Sequence, residues 1–315
     1  MYDILIIGGS AAGMTAAIYA ARHNMKAVIV TKDIGGEIAM TGEVKNWLGI
    51  QSIRGFELVK NFREHVESYG VPIEAGMEVM NFSEEKKYYI VNAKDTDGKE
   101  KKYETKTIVI ASGIHPRALK VPGEDKLRGK GITYCTVCDG PLYRGKDTAT
   151  IGAGSSALSS AIMMAGFAKK VYLLTKFPNT KESSFGFPKG ENTLIDKINS
   201  LKNIETIYNA TTKEVLGSEF VEGLIYFDSE AKEDKKIEVQ GVMVHIGNLP
   251  NSAFAPEIKT NNVGAIEINM RCETSLRGVF AAGDVTDAPF KQISVASGHG
   301  TIAALSAIEF INKLK

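Results

Sequence analysis

The chain has 315 residues, 43% of them hydrophobic, and its 38 basic and 37 acidic side chains leave a formal charge of +1. That length suits one large domain or two ordinary ones with full cores, and the charge balance gives no reason to expect nucleic acid or an anionic membrane as partner. No apolar run approaches the roughly 18 to 20 residues that cross a bilayer, and MYDILIIGGS enters a strand with no basic stretch before it, so the expected location is cytoplasmic.

In chain order, YDILIIGGSAAGMTAAIYAARHNMKAVIV (residues 2–30) reads as strand, glycine-rich turn, alanine-rich helix and strand. RGFELVKNFREHVESYG carries Phe56, Val59, Phe62 and Val66 at helical spacing, with Gly70 as a stop. KKYYIVNA and KKYETKTIVIASG read as strands around the turn DTDGKE. DTATIGAGSSALSSAIMMAGFAKKVYLL (147–174) then repeats the first unit. A helix over ENTLIDKINSL, strands over VEGLIYFD, IEVQGVMVHIG and GVFAAGD, and an alanine-rich helix from about Ser294 to Leu314 complete the chain. Two strand–helix–strand units define an α/β class. The expected fold is two Rossmann-like, three-layer nucleotide-binding domains, with 117–246 inserted between 1–116 and 247–315.

The two glycine turns are the first chemical signal. GGSAAG runs from Gly8 through Ser10, Ala11 and Ala12 to Gly13. In the dinucleotide fingerprint the first glycine makes a tight turn, the second lets backbone approach a pyrophosphate, and the third permits close helix packing. The helix N-terminus then offers free N–H groups to the phosphates. Ser10 stands at the second position, where its Cβ pushes a phosphate outward while its hydroxyl could donate to it. Asp33 follows Gly13 at the distance of a ribose-binding acid, and reads equally as a solvated loop acid. GAGSSA, Gly152 to Ala157, matches G-x-G-x-x-A more fully. The segment after its second strand, LLTKFPNTKESSFGFPKG, supplies no acid for a ribose and no arginine pair for a 2′-phosphate. Lys176 and Lys181 are its nearest cations, and lysine lacks the arginine fork. The second turn therefore reads either as a nicotinamide site or as a fold that has lost its nucleotide.

TYCTVCDG holds Cys135, Cys138 and Asp139. A C-x-x-C pair in a reducing compartment suggests exchange chemistry, one thiol of such a pair being commonly acidified. Asp139 is a candidate acid for the departing thiolate. A zinc site needs four ligands; Cys272 and five scattered histidines offer no paired spacing, so no metal is expected.

Taken together, IIGGSAAG, GGEIAMTGEVKNWLG, IVIASG, CTVCDG, IGAGSSA and VFAAGDV closely resemble, over nearly the whole chain, the low-molecular-weight flavoprotein thioredoxin reductases. The resemblance implies FAD as cofactor, thioredoxin as partner and a homodimer. It implies that the FAD pyrophosphate lies on Gly8 to Gly13, and that Gly35, Gly36, Glu37 and Asn46 flank the ring and ribityl chain, Glu37 replacing a glutamine. Ala111, Ser112 and Gly113 would contact the flavin side, Gly283 and Asp284 a ribityl or phosphate-proximal group, and Lys291, Gln292 and Ile293 the ring. Cys138 would face the flavin, and Cys135 would attack thioredoxin's disulfide. NADPH-using members carry an arginine cluster where this chain has Thr175, Lys176 and Phe177. On that ground NAD(P)H is doubtful and reduced ferredoxin is the expected donor, with an ordinary NAD(P)H-dependent enzyme as the alternative and a flavin redox sensor without turnover as a remoter one. The flavoprotein of alkyl hydroperoxide reduction, which carries an added N-terminal region, is expected to be a poorer match.

Overall fold

The apolar run Ile4 to Ile7 is buried throughout, as a central parallel strand covered on both faces must be. Strand Tyr2–Gly9 lies between Ala27–Ile34 and the long Glu100–Ile110, parallel to both, with Ile6 opposite Ile29 and Val109. In this computed structural model, which describes residues 1–39 and 43–314 with Glu43 and Cys138 by backbone alone, the chain divides into two units. One comprises Met1–His115 and Leu249–Lys315, the other Pro116–Asn248.

The first unit is built on a seven-stranded sheet among the described residues. Strand Glu100–Ile110 organises it. Its first half pairs antiparallel with Tyr88–Asp95, and its last three residues pair in parallel with Val279–Ala281. Helices Ala11–Arg22 and Ile293–Lys313 pack on one face around Ala16, Ala20, Ala303 and Ala307. Alanine at these positions lets helices approach closely: a Cβ on Gly300 would stand 2.2 Å from the Ala12 carbonyl oxygen. The other face is covered by Phe82, Tyr89, Tyr103 and Ile258.

The second unit has a five-stranded parallel sheet in the order Ile132–Thr133, Gly241–Val244, Asp147–Ile151, Lys170–Leu174, Ile204–Ile207. Helices Ser155–Ala165 and Asn192–Ser200 cover one face through Leu158, Met164, Ile195 and Ile198. An antiparallel meander, Ala210–Leu216, Gly223–Asp228 and Glu233–Ile237, covers the other. The three-layer α/β architecture is thus present twice.

One expected strand is two. IEVQGVMVHIG contributes Ile237 to the meander and only Gly241–Val244 to the parallel sheet. Between them the backbone passes the Tyr143 ring so closely that a Cβ on Gly241 would lie 2.6 Å from it. Hydropathy carries no trace of that change of sheet. Among the described residues no helix is long and apolar enough to cross a membrane.

Candidate functional site: a glycine cradle and a dithiol turn

The first glycine turn opens on a cavity of about 1140 Å³ within the first unit. The glycines that shape it are required by space. Gly8 has φ +118°, and a Cβ there would fall 2.2 Å from the Ala111 carbonyl oxygen; one on Gly13 would fall 1.9 Å from the Gly8 oxygen. Only glycine meets both demands. Ser10 adopts extended backbone at φ −126°, so no glycine is needed at the second position. Its hydroxyl donates to the Gly35 carbonyl at 2.8 Å. The turn between Gly35 and Gly36 returns close enough to accept that proton.

Of the residues singled out in sequence, Gly8, Ser10, Ala11, Ala12, Asp33, Gly36, Glu37, Ala111, Ser112, Gly113, Asp284, Lys291, Gln292 and Ile293 all line this cavity. Gly13, Gly35, Asn46 and Gly283 do not line it. Gly35 supports the turn by donating its amide to the Gly9 carbonyl at 2.7 Å. Asn46 donates from Nδ2 to Gln292 Oε1 at 3.1 Å, so two residues 246 apart in sequence meet. Asp33 accepts the Gly36 amide at Oδ1, 3.1 Å, closing a local turn of the kind aspartate favours.

Charge is unevenly spread around the cavity. Glu37 remains water-accessible, yet crowding by the cavity walls and then the charge of Asp33 raise its carboxyl above the usual range, with His115 pulling the other way and Asp284 adding to the rise. Burial likewise raises Asp284, against the attraction of Lys291. Lys291 donates to the Thr286 carbonyl at 2.6 Å. The cradle thus offers backbone donors, carboxyls that include Asp33, Glu37 and Asp284, and the cations Lys32 and Lys291, a donor set that fits a dinucleotide.

Sequence reading missed Asn251. It sits in GNLPNSAFAPE, which reads as a connection between domains. Its Nδ2 donates to the Ser112 carbonyl at 2.8 Å, its carbonyl accepts the Ser112 hydroxyl at 2.7 Å, and its Oδ1 is bonded to His115 Nδ1. Asn251 therefore fixes the ASG segment at the cavity wall. Met77 to Met80 also line the cavity and gave no sequence signal beyond alternation.

In the second unit, Cys135 is disulfide-bonded, whereas Cys272, in the first, is free and buried, its thiol pushed up to about 11 by burial. Cys138 lies on the four-residue helix Thr136–Asp139; its side chain is outside the described residues. Asp139 is half-buried, and its Oδ2 accepts the Thr133 hydroxyl at 2.5 Å. That same hydroxyl oxygen accepts the Cys135 amide at 3.0 Å. On the other side, Tyr134 donates its hydroxyl to the buried Glu124, which also accepts the Leu119 and Lys120 amides. Among the described residues no group of three or more His, Cys, Asp or Glu side chains is arranged to hold a metal ion.

The second glycine turn is engaged by its own chain. The Ser155 amide donates to the Lys189 carbonyl at 3.1 Å, and the Ser155 hydroxyl oxygen accepts the Glu191 amide at 3.1 Å. Thr175 donates its hydroxyl to the Gly186 carbonyl at 2.6 Å, and Lys176 stands over the Phe177 ring at 5.4 Å.

The class is that of a disulfide oxidoreductase of two nucleotide-type units, and comparison with known proteins makes it specific. The chain matches the pyridine nucleotide-disulphide oxidoreductase family over residues 2–300 and belongs to it. It is 37% identical over its whole length to a component of the alkyl hydroperoxide reductase of Escherichia coli and 35% identical, over 98% of its length, to a Bacillus subtilis protein named NADH dehydrogenase. The chain spans only 59% and 58% of the lengths of those two relatives. Among solved structures it is similar to Lactococcus lactis thioredoxin reductase, with a TM-score of 0.82 and 29% identity over 99% of this chain and 100% of that one. It is also similar to T. acidophilum thioredoxin reductase, with a TM-score of 0.79 and 35% identity over 100% of this chain and 99% of that one. The likeness to the alkyl hydroperoxide reductase component corrects the expectation of a poor match.

Proposed function

We infer that the chain is an FAD-dependent thioredoxin reductase that passes electrons through a Cys135–Cys138 dithiol to the disulfide of a thioredoxin-type protein. The observation that carries this reading is the conjunction of a glycine-built cavity of about 1140 Å³ in the first unit with a disulfide-bonded Cys135 in the second. Likeness to thioredoxin reductases along nearly the full length of both chains supports it.

Bound FAD would supply a two-electron carrier able to reduce a disulfide. The residues proposed to hold it are Gly8 to Gly13 at the pyrophosphate, Asp33 at a ribose, Glu37, Asn46 and Asp284 at hydroxyls, and Ala111 to Gly113 with Lys291 to Ile293 about the ring. Exchange then runs through the dithiol. The Cys135 thiolate attacks one sulfur of the partner's disulfide, and the partner's other sulfur leaves and takes a proton, for which Asp139 is the proposed donor. The Cys138 thiolate next attacks Cys135, the partner's second sulfur leaves, and the Cys135–Cys138 disulfide remains, ready for two electrons and two protons. Exposed Val137 and Leu142 beside the dithiol give a protein partner apolar surface to cover.

The donor is proposed to be a reduced nicotinamide dinucleotide, with NADH ahead of NADPH. The family name and the relative named NADH dehydrogenase favour it, and the lack of arginine at Thr175 to Phe177 weighs against a 2′-phosphate. This reverses the preference for ferredoxin drawn from sequence. Ferredoxin is kept as a second reading on one observation, the use of the Ser155 amide by Lys189 where a phosphate would bind. An anaerobic titration of the purified protein with NADH, NADPH and reduced ferredoxin, following the flavin absorbance, tests all three. Bleaching by NADH at lower concentration than by NADPH is the expected result; bleaching by ferredoxin alone overturns the nicotinamide reading, and a colourless protein overturns the FAD reading. Replacing Cys138 with serine is expected to leave FAD bound and to stop thioredoxin reduction.

A further inference from the structure

His245 stands directly after strand Gly241–Val244, and its amide donates to the Ile151 carbonyl at 2.8 Å, which seats it against the second glycine turn. Ala111 holds the matching place in the first unit: its amide donates to the Ile7 carbonyl at 2.8 Å. The Ala111 carbonyl crowds Gly8 at 2.2 Å from a built Cβ, as the His245 carbonyl crowds Gly152 at 2.1 Å. At that shared position the first unit has a methyl group and an open cavity, while the second has an imidazole that reaches two other elements. Nε2 lies 2.8 Å from Thr136 Oγ1, and Nδ1 lies 3.0 Å from Ser156 Oγ. Thr136 Oγ1 in turn lies 2.6 Å from Ser160 Oγ. One order of protons satisfies the chain: Ser156 donates to Nδ1, Nε2–H donates to Thr136, and Thr136 donates to Ser160.

Thr136 is buried and lies between Cys135 and Cys138 in sequence. A helix as short as Thr136–Asp139 cannot fix its own orientation, since helix nucleation is unfavourable without outside contacts. The imidazole supplies such a contact from the end of an interior strand of the sheet. We propose that His245 is a positioning residue for the dithiol: through Thr136 it fixes the Cys135–Cys138 turn on the helix Ser155–Ala165. This rests on the dithiol reading given above. The contact is taken to be stronger in the oxidised turn, the form in which it is seen, than in the dithiol. Its loss therefore makes the disulfide easier to reduce.

The test is the thiol–disulfide equilibrium of the full-length FAD-loaded protein in glutathione buffers, read by alkylation and mass spectrometry. Wild type is compared with His245→Ala, His245→Gln, Thr136→Val and the His245→Ala/Thr136→Val double variant. Loss of one net hydrogen bond to Thr136 predicts a shift of about fivefold towards the dithiol in His245→Ala, and Thr136→Val, which also loses the Ser160 contact, should shift at least as far. The double variant should shift no further than Thr136→Val alone, the mark of a shared path. His245→Gln, which keeps a side-chain donor and acceptor, should recover part of the shift. Wild-type behaviour in His245→Ala, or additive shifts in the double variant, overturns the proposal. Where His245→Ala fails to fold, Thr136→Val decides alone, and an unshifted equilibrium there overturns it. A wild-type chain that forms no Cys135–Cys138 disulfide overturns both the dithiol reading and this proposal, and needs no variant to be recognised.

Discussion

The two glycine turns begin alike and end differently. Gly8 and Gly152 both take positive φ, at +118° and +151°, and both press against the carbonyl of the residue that follows a neighbouring parallel strand. Beyond that point the second turn has the fuller fingerprint, yet its Ser155 amide is spent on Lys189 and its Ser156 hydroxyl on His245. The first turn has a serine at the second glycine position, and it faces the large cavity. What stands opposite the turn, Ala111 in one unit and His245 in the other, separates them more than the glycines do. A fingerprint reports that backbone can pass closely; it does not report what comes to meet it.

The largest effect should come from adding one methyl group to each turn. Gly8→Ala puts a Cβ into the Ala111 carbonyl at a backbone angle that disfavours it, and should cost at least ~3 kcal/mol and abolish the flavin absorbance. Gly152→Ala meets the same clash with His245 and should cost a similar ~3 kcal/mol in urea unfolding while the purified protein stays yellow. Loss of flavin in both variants would mean that the two turns are not separable in function.

A second test uses pH. Burial lowers His245 to about 4, from an ordinary value of 6.5. The unfolded chain therefore binds this proton first as pH falls. Stability from the neutral imidazole is fully present above about pH 6.5, falls between there and pH 4, and changes no further below. The full loss is roughly 3 kcal/mol. Urea unfolding at pH 7 and pH 4.5 should show most of it, and His245→Gln should flatten that part of the profile. An unchanged slope in the variant would assign the loss to other groups. Ala111, its counterpart, contributes nothing of this kind; in the first unit burial lowers His299 instead, a separate loss that His245→Gln should leave in place.

Glu37 offers a smaller effect on the first cradle. The crowding of the walls raises its carboxyl first, with Asp33 and then Asp284 adding to the rise, so Glu37→Gln removes a like charge from an acidic rim. FAD should bind a few-fold more tightly, read by equilibrium dialysis against free flavin. Weaker binding would mean that the carboxylate accepts a hydroxyl of the cofactor that an amide cannot serve.

Much of this was legible in the residues because it is local. Apolar runs ending in glycine-rich turns give the parallel strands, and Phe56, Val59, Phe62 and Val66 give a helix that forms over Gly55–Ser68. The cavity wall was legible too, since most of it lies within a few residues of the glycine motifs. Asn251 and His245 were not. Each follows or lies near a strand end, and each acts on a segment more than a hundred residues away, Asn251 on Ser112 and His245 on Thr136. Nothing in local periodicity marks such a meeting. The split of IEVQGVMVHIG between two sheets was hidden for the same reason, since alternation looks alike in either sheet.

Ser10 gives the finest measure of the difference between the turns. Glycine at this position would restore the full fingerprint, and a reading from pattern alone predicts tighter cofactor binding. The geometry predicts otherwise. Ser10 already has extended backbone, so glycine relieves no strain, and its hydroxyl ties the turn to the Gly35 carbonyl at 2.8 Å. Ser10→Gly loses that bond and adds backbone freedom to the unfolded chain, together about 1 kcal/mol. FAD affinity should change by no more than about tenfold, in the weaker direction, because the loop holding Gly36 and Glu37 is less firmly held. Ser10→Thr, which keeps the hydroxyl, should sit closer to wild type. Tighter binding in Ser10→Gly would show that the serine Cβ obstructs the phosphate, and that the second glycine matters in this turn as it does in the fingerprint.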